Sequence, residues 1–150
     1  MSNEQPALPS GQPILIVEDS EDDFEATQRA FAKANFRNPI KHAVCGEDAV
    51  AYLRSANTTK PGLILLDLNM PGLDGRKTLQ LIKATEATKN IPVIVLTTSN
   101  DERDIHDCYA FGANTYIQKP VDLDALFAAI RRLKEYWFEI AILPKAANHG

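Results

Sequence analysis

Four short apolar runs in the chain each end in a polar residue suited to phosphate or metal chemistry. Ile14–Val17 leads into Glu18 and Asp19, and Leu63–Leu66 into Asp67. Val93–Leu96 leads into Thr97, and Tyr116–Gln118 into Lys119 and Pro120. If the runs are parallel strands, all four ends share one rim, the edge where open α/β sheets place their ligands. Three carboxylates, a hydroxyl and a lysine would then face one hole. Two unit charges about 4 Å apart repel by roughly 4 kcal/mol at an effective dielectric of 20. Such a cluster therefore needs a cation or must take up a proton. Lys119 can neutralise one carboxylate, and a divalent cation with oxygen ligands can neutralise the rest. These strand ends carry no thiol or imidazole, which disfavours zinc and copper. Asp67 becomes a candidate phosphoryl acceptor beside Mg²⁺ (or Mn²⁺). Any one of these acids, taken singly, reads better as a solvated loop residue. Convergence from four separate strands reverses that balance.

The elements between the strands follow from periodicity. Ser20 with Asp23 three residues on is a capping-box-like helix start, and Phe24, Thr27, Phe31 and Ala34 repeat at helical spacing. Ile40, His42 and Val44 alternate with Lys41 and Ala43, as in a strand near a sheet edge. Ala49, Val50 and Leu53 mark a second helix, and Leu79 and Ile82 a third. Asp101 to Phe111 predicts a fourth, with Ile105, Cys108 and Tyr109 inward and Gly112 as its stop. Thr115–Gln118 is the fifth strand. Asp122 caps a last helix whose Leu123, Leu126, Phe127, Ile130, Leu133 and Trp137 form one apolar stripe. Alternating strands and helices predict an α/β fold with a parallel sheet covered on both faces. The flavodoxin-like doubly wound order 2-1-3-4-5 puts the weak second strand at an edge and makes Asp19 and Asp67 neighbours.

The totals set bounds. The 150 residues suffice for one domain with a stable core. Apolar residues make up 45% and charged residues 24%, ordinary for a globular protein. A net charge of −4 disfavours a nucleic-acid backbone as main partner. Arg131, Arg132 and Lys134 form the best basic patch and read as a solvated helix face. Cys45 and Cys108 stand in no metal-ligand spacing and are expected to be free thiols. Residues 1–12, polar and Pro-rich, read as a disordered leader. The chain has no secretory signal and no apolar run long enough for a membrane span, so a cytoplasmic location is expected.

With these residues in place, the chain resembles a receiver domain of the two-component response-regulator (CheY-like) family. The resemblance rests on Glu18-Asp19-Ser20, Asp67-Leu68-Asn69-Met70-Pro71 with Asp74-Gly75, Thr97-Thr98 and Lys119-Pro120. It covers about Pro13 to Leu133. A closer similarity, to single-domain receivers partnering cyanobacterial and bacterial phytochromes, rests on three stretches. These are Leu96-Thr97-Thr98-Ser99, Lys119-Pro120-Val121-Asp122-Leu123-Asp124, and Trp137-Phe138 ending in Leu143-Pro144. The main departure is Glu18, where many receivers have Asp; it keeps the charge with a longer reach.

The resemblance implies that Asp67 takes a phosphoryl group from a histidine of a sensor kinase, here a phytochrome. It gives the metal to Asp19, Asp67 and the Asn69 backbone carbonyl, with Glu18 behind them through a water. Thr97, the Thr98 N–H and Lys119 would bind the phosphoryl group. Thr97 and Tyr116 would act as the switch, and Asn69 and Ser99 would tune dephosphorylation. It also implies a cis Lys119–Pro120 peptide. His42, His106 and His149 receive no role. The receiver is expected over 13–138, with 139–150 a C-terminal extension at a dimer surface. Nothing past Leu143 suggests an output domain, so the signal is expected to leave through a surface. The apolar tail from Tyr136 to Leu143 and the fourth-helix, fifth-strand and fifth-helix face suggest a homodimer. Two other readings compete. One is a Mg²⁺-dependent phosphohydrolase with an Asp nucleophile, which usually needs a second acid where this chain has Asn69. The other is a scaffold that binds partners independently of phosphorylation.

Overall fold

The computed structural model describes residues 11–70, 72, 74–120 and 122–136. The expected tail beyond Tyr136, with Trp137, lies outside the described residues. Ten elements alternate strictly: β1 (Ile14–Val17), α1 (Glu21–Lys33), β2 (Ile40–Ala43), α2 (Gly46–Arg54), β3 (Leu63–Leu66), α3 (Gly75–Ala84), β4 (Val93–Thr97), α4 (Glu102–Ala110), β5 (Thr115–Gln118) and α5 (Leu123–Lys134). All strand pairs are parallel, and the order is β2-β1-β3-β4-β5. No described helix is long and apolar enough to cross a membrane.

The central strands are buried along their whole length because both faces are covered. Their side chains alternate between two cores. Leu15, Val17, Ile64, Leu66, Val93 and Val95 pack with Ala49, Leu53, Leu79, Ile82 and Cys108 from α2, α3 and α4. Ile14, Ile16, Leu63, Leu65, Ile94 and Leu96 pack with Ala30, Phe31, Leu126 and Ile130 from α1 and α5. The helices start where short acceptors take up orphan N–H groups. Ser20, Asp74, Asp101 and Asp122 each accept a backbone N–H of the first turn, and Cys45 Sγ takes that part for α2.

Three details depart from expectation. β2 ends at Ala43, and Ala43 rather than Val44 is buried, because Ala43 packs into the core with Ala49 and Leu53 of α2 while Val44 lies past the strand end. Tyr109 and Leu123, expected inward, are 49% and 58% exposed. Tyr109 follows the buried Cys108 by one position and so faces the side of its helix, and Leu123 is the first residue of α5, at the end of its stripe. Gln12, read as the end of a leader, is buried, and its carbonyl accepts the Asn38 amide at 2.8 Å.

Candidate functional site at the carboxyl rim of the sheet

Glu18, Asp19 and Asp67 each offer a carboxylate oxygen, and these atoms lie within 4.8 Å of one another. Sheet pairing brings them together. Val17 pairs with Leu66, and the Asp67 N–H donates to the Val17 carbonyl at 3.1 Å, so the next residue on each strand opens onto the same gap. Glu18 and Asp67 are buried, while Asp19 is exposed. The Asp67 carboxylate is steadied by its own loop, where the Asn69 N–H donates to Oδ1 at 3.2 Å.

Lys119 reaches the gap from the far side of β4. Its N–H donates to the Thr97 carbonyl at 2.6 Å, continuing the strand pairing past Gln118. Its ammonium donates to Glu18 Oε1 at 2.8 Å, Asp23 Oδ2 at 2.9 Å and Asp67 Oδ2 at 3.4 Å. Burial works to lower the proton affinity of Lys119. The hydrogen bonds to Glu18 and Asp23 and the charge of Asp67 outweigh it, and the ammonium is held more firmly than in an ordinary lysine. Burial pushes the Glu18 carboxyl up to about 7, and Asp67 adds to this, against the pull of Lys119 and the Ser20 N–H. One ammonium does not balance this cluster. An all-oxygen donor set with surplus negative charge fits a hard divalent cation such as Mg²⁺ or Mn²⁺.

Across the gap, Thr97 is fully buried, and its Oγ1 accepts the Asn69 side-chain amide at 3.2 Å. That amide also lies 3.4 Å from Thr98 Oγ1. Asn69 thus bridges the loop after Asp67 and the end of β4. The Tyr116 hydroxyl donates to the Ser99 carbonyl at 2.9 Å, tying β5 to the loop after Thr97. The Lys119–Pro120 peptide is trans, against the cis isomer expected from the resemblance. For an X–Pro bond the two isomers differ by only about 0.5–1 kcal/mol, so a sequence pattern does not fix the choice.

The structure adds residues that sequence reasoning missed. Asp23 was seen only as a helix-start residue, yet it holds Lys119. Ser99 Oγ donates to Asp104 Oδ2 at 2.7 Å, and Asp104 Oδ1 accepts from Arg76 Nε and Nη2 at 2.9 and 2.6 Å. The Ser99 hydroxyl and the Arg76 guanidinium together hold the Asp104 carboxyl below the usual range, although burial opposes them. His42 stacks on Phe24 with ring centroids 3.6 Å apart and places Nε2 2.8 Å from the Glu18 carbonyl. None of these left a usable signal in the local sequence, because each acts through a partner distant along the chain.

Comparison with known proteins agrees with this geometry. The response regulator receiver domain family matches residues 14–131. Response regulator Rcp1 of Synechocystis sp. is 37% identical over 137 residues, covering 89% of this chain and 93% of that protein. The crystal structure of the phosphorylated cyanobacterial phytochrome response regulator RcpA matches with a TM-score of 0.85 at 40% identity, covering 90% of this chain and 99% of the other. The Mn²⁺-bound form of Rcp1 matches at 0.82 with 36% identity, covering 89% and 99%. This chain belongs to the response regulator receiver domain family.

Proposed function

We propose that this chain is a phytochrome-type response regulator that accepts a phosphoryl group from a sensor histidine kinase onto Asp67. The carboxylate oxygen of Asp67 attacks phosphorus, the bond to the kinase histidine breaks, and the imidazole leaves. Asp19, Asp67 and the Asn69 carbonyl, with Glu18 behind them, would hold Mg²⁺ or Mn²⁺, which supplies positive charge against the repulsion between nucleophile and phosphoryl group. Lys119 donates to a second phosphoryl oxygen. The Thr97 hydroxyl and the Thr98 N–H donate to a third. Movement of Thr97 toward the phosphoryl group changes the packing offered to Tyr116, and through it the face of α4, β5 and α5. Asn69 and Ser99 flank the approach of water and set the lifetime of the acyl phosphate.

One observation carries this reading: the Asp67 carboxylate faces Lys119 at 3.4 Å within an all-oxygen acidic cluster. Asn69 stands two residues after the nucleophile, and its amide is engaged with Thr97, so a phosphohydrolase would lack an acid for its leaving group there. Phosphorylation distinguishes the chain from a passive scaffold.

The phytochrome partner is supported by the similarity to Rcp1 and RcpA. A homodimer through α4, β5, α5 and the C-terminal tail is supported by an open groove of about 660 Å³ between β5 and α5, with Ile117, Ala129 and Leu133 in its wall. The protein would act in the cytoplasm, where kinase and phosphodonor are found. Incubation with Mg²⁺ and a small phosphodonor, followed by intact-mass measurement, tests the reading. One phosphoryl group should be added, dependent on Mg²⁺ and absent in Asp67→Asn. A phosphorylated chain that runs as a monomer at micromolar concentration would exclude the dimer.

A further inference from the structure

The helix start at Ser20 forms only half of a capping box. Ser20 Oγ accepts the Asp23 N–H at 3.2 Å, but the Ser20 N–H, which the acid three residues on would normally take, goes to Glu18 Oε2 at 3.1 Å. The Asp23 carboxylate is thereby released from its own helix. It lies 2.9 Å from the Lys119 ammonium, a pairing across 96 residues.

An ammonium has three N–H donors, and here all three have acceptors: Glu18, Asp23 and Asp67. The two short bonds draw the charge toward Glu18 and Asp23, and the Asp67 contact is left the longest. Closing on a phosphoryl oxygen at ordinary charge-assisted distance requires the ammonium to retreat from one of them. Glu18, its side chain 6% exposed, would lose its ammonium partner where water does not replace it. Asp23, at 48%, regains water. A cavity of about 210 Å³ bounded by Asp23, Thr27, Lys119 and Asp122 gives the freed carboxylate room.

We infer that Asp23 is a positioning residue that holds the Lys119 ammonium back from Asp67 and gives it up when the phosphoryl group arrives. The inference rests on the phosphoacceptor reading above. It makes Asp23 a brake on phosphorylation, opposite in sign to the acids around it.

The test is self-phosphorylation by acetyl phosphate with Mg²⁺, followed by intact mass over time. In that reaction an Asp67 oxygen bonds to phosphorus and acetate leaves with the electron pair. Asp23→Asn should react roughly three- to ten-fold faster than wild type, the worth of one hydrogen bond of ordinary net strength, as suits a half-exposed carboxylate. Asp22→Asn removes the same charge from the same helical turn and should stay within about two-fold of wild type. The difference should persist at high ionic strength, where through-space repulsion is screened. It should vanish when Lys119 is replaced by Met in both backgrounds. An Asp23→Asn rate at or below wild type, equal acceleration in Asp22→Asn, or acceleration that survives loss of Lys119 would each overturn the inference while leaving the phosphoacceptor intact. A wild-type chain that takes up no phosphoryl group would overturn both.

Discussion

Gly75 packs directly against the backbone of Asp67. Its N–H donates to the Leu68 carbonyl at 3.1 Å, and a β-carbon at this position would lie 2.5 Å from Leu68 Cα and closer still to the Asp67 carbonyl oxygen. The first turn of α3 thus sits on the strand end that presents Asp67, and only a residue without a side chain permits it. The need here is for space, not for an unusual backbone angle. Gly75→Ala is expected to destabilise the fold by about 1–3 kcal/mol, the usual cost of overpacking between rigid backbones. Urea denaturation measures this, and the same variant should bind Mn²⁺ more weakly because Asp67 is displaced.

Tyr116 offers a cleaner single-bond test. Removing its hydroxyl leaves the Ser99 carbonyl without that donor and frees the loop after Thr97 from β5. Tyr116→Phe should lose about 1 kcal/mol of stability, a typical hydrogen-bond contribution. An unchanged denaturation midpoint would mean that this bond does not hold the loop.

Asp104 predicts a pH dependence. Its carboxyl is held below the ordinary value first by Ser99 and then by Arg76, so the charged form is favoured in the folded state. A depressed folded value contributes stability above the unfolded pKa of about 3.9 and loses it as pH falls through the folded value. Asp104→Asn should therefore be destabilised at neutral pH, by about 1 kcal/mol for a partly exposed pair. The gap from wild type should close in acid. A gap that is constant down to pH 2 would argue against the ion pair as its source.

The two thiols should behave differently. Cys108 is fully buried, and burial pushes its pKa up to about 11, whereas Cys45 is half-buried. A thiol-reactive dye should label Cys45 in the native protein and Cys108 only on unfolding. The raised folded value has a second consequence. The neutral thiol is favoured in the fold, so its contribution is complete below the unfolded pKa of about 8.5 and is lost as pH rises toward 11. Replacing Cys108 with Ala should flatten the alkaline limb of the stability profile.

Local sequence carried the strands well because buried parallel strands are written as continuous apolar runs. Ile14–Val17 and Leu63–Leu66 agree residue for residue, and Val93–Leu96 extends only to Thr97. The acids and the lysine at those ends meet because one rim collects every strand end. Weaker patterns failed where exposure is graded. The alternation around His42 did not foresee that Ala43 would be the buried residue, since alternation assigns side chains to two faces but not how fully each face is covered. Asp23 and the Arg76–Asp104 pair were not legible for a different reason. Each depends on a partner 96 or 28 residues away, and on which local hydrogen bond another residue takes first. Asp23 is free for Lys119 only because Glu18 occupies the Ser20 N–H.

The most direct measurement is to phosphorylate the chain with acetyl phosphate and Mg²⁺, reduce it with borohydride and map the peptides. Reduction of an aspartyl phosphate leaves homoserine at the modified position. Homoserine at position 67 alone is the expected result. Homoserine at Asp19 or Asp23, hydroxynorvaline at Glu18, or no reduced residue despite a mass increase of one phosphoryl group, would contradict the assignment of Asp67 as the acceptor.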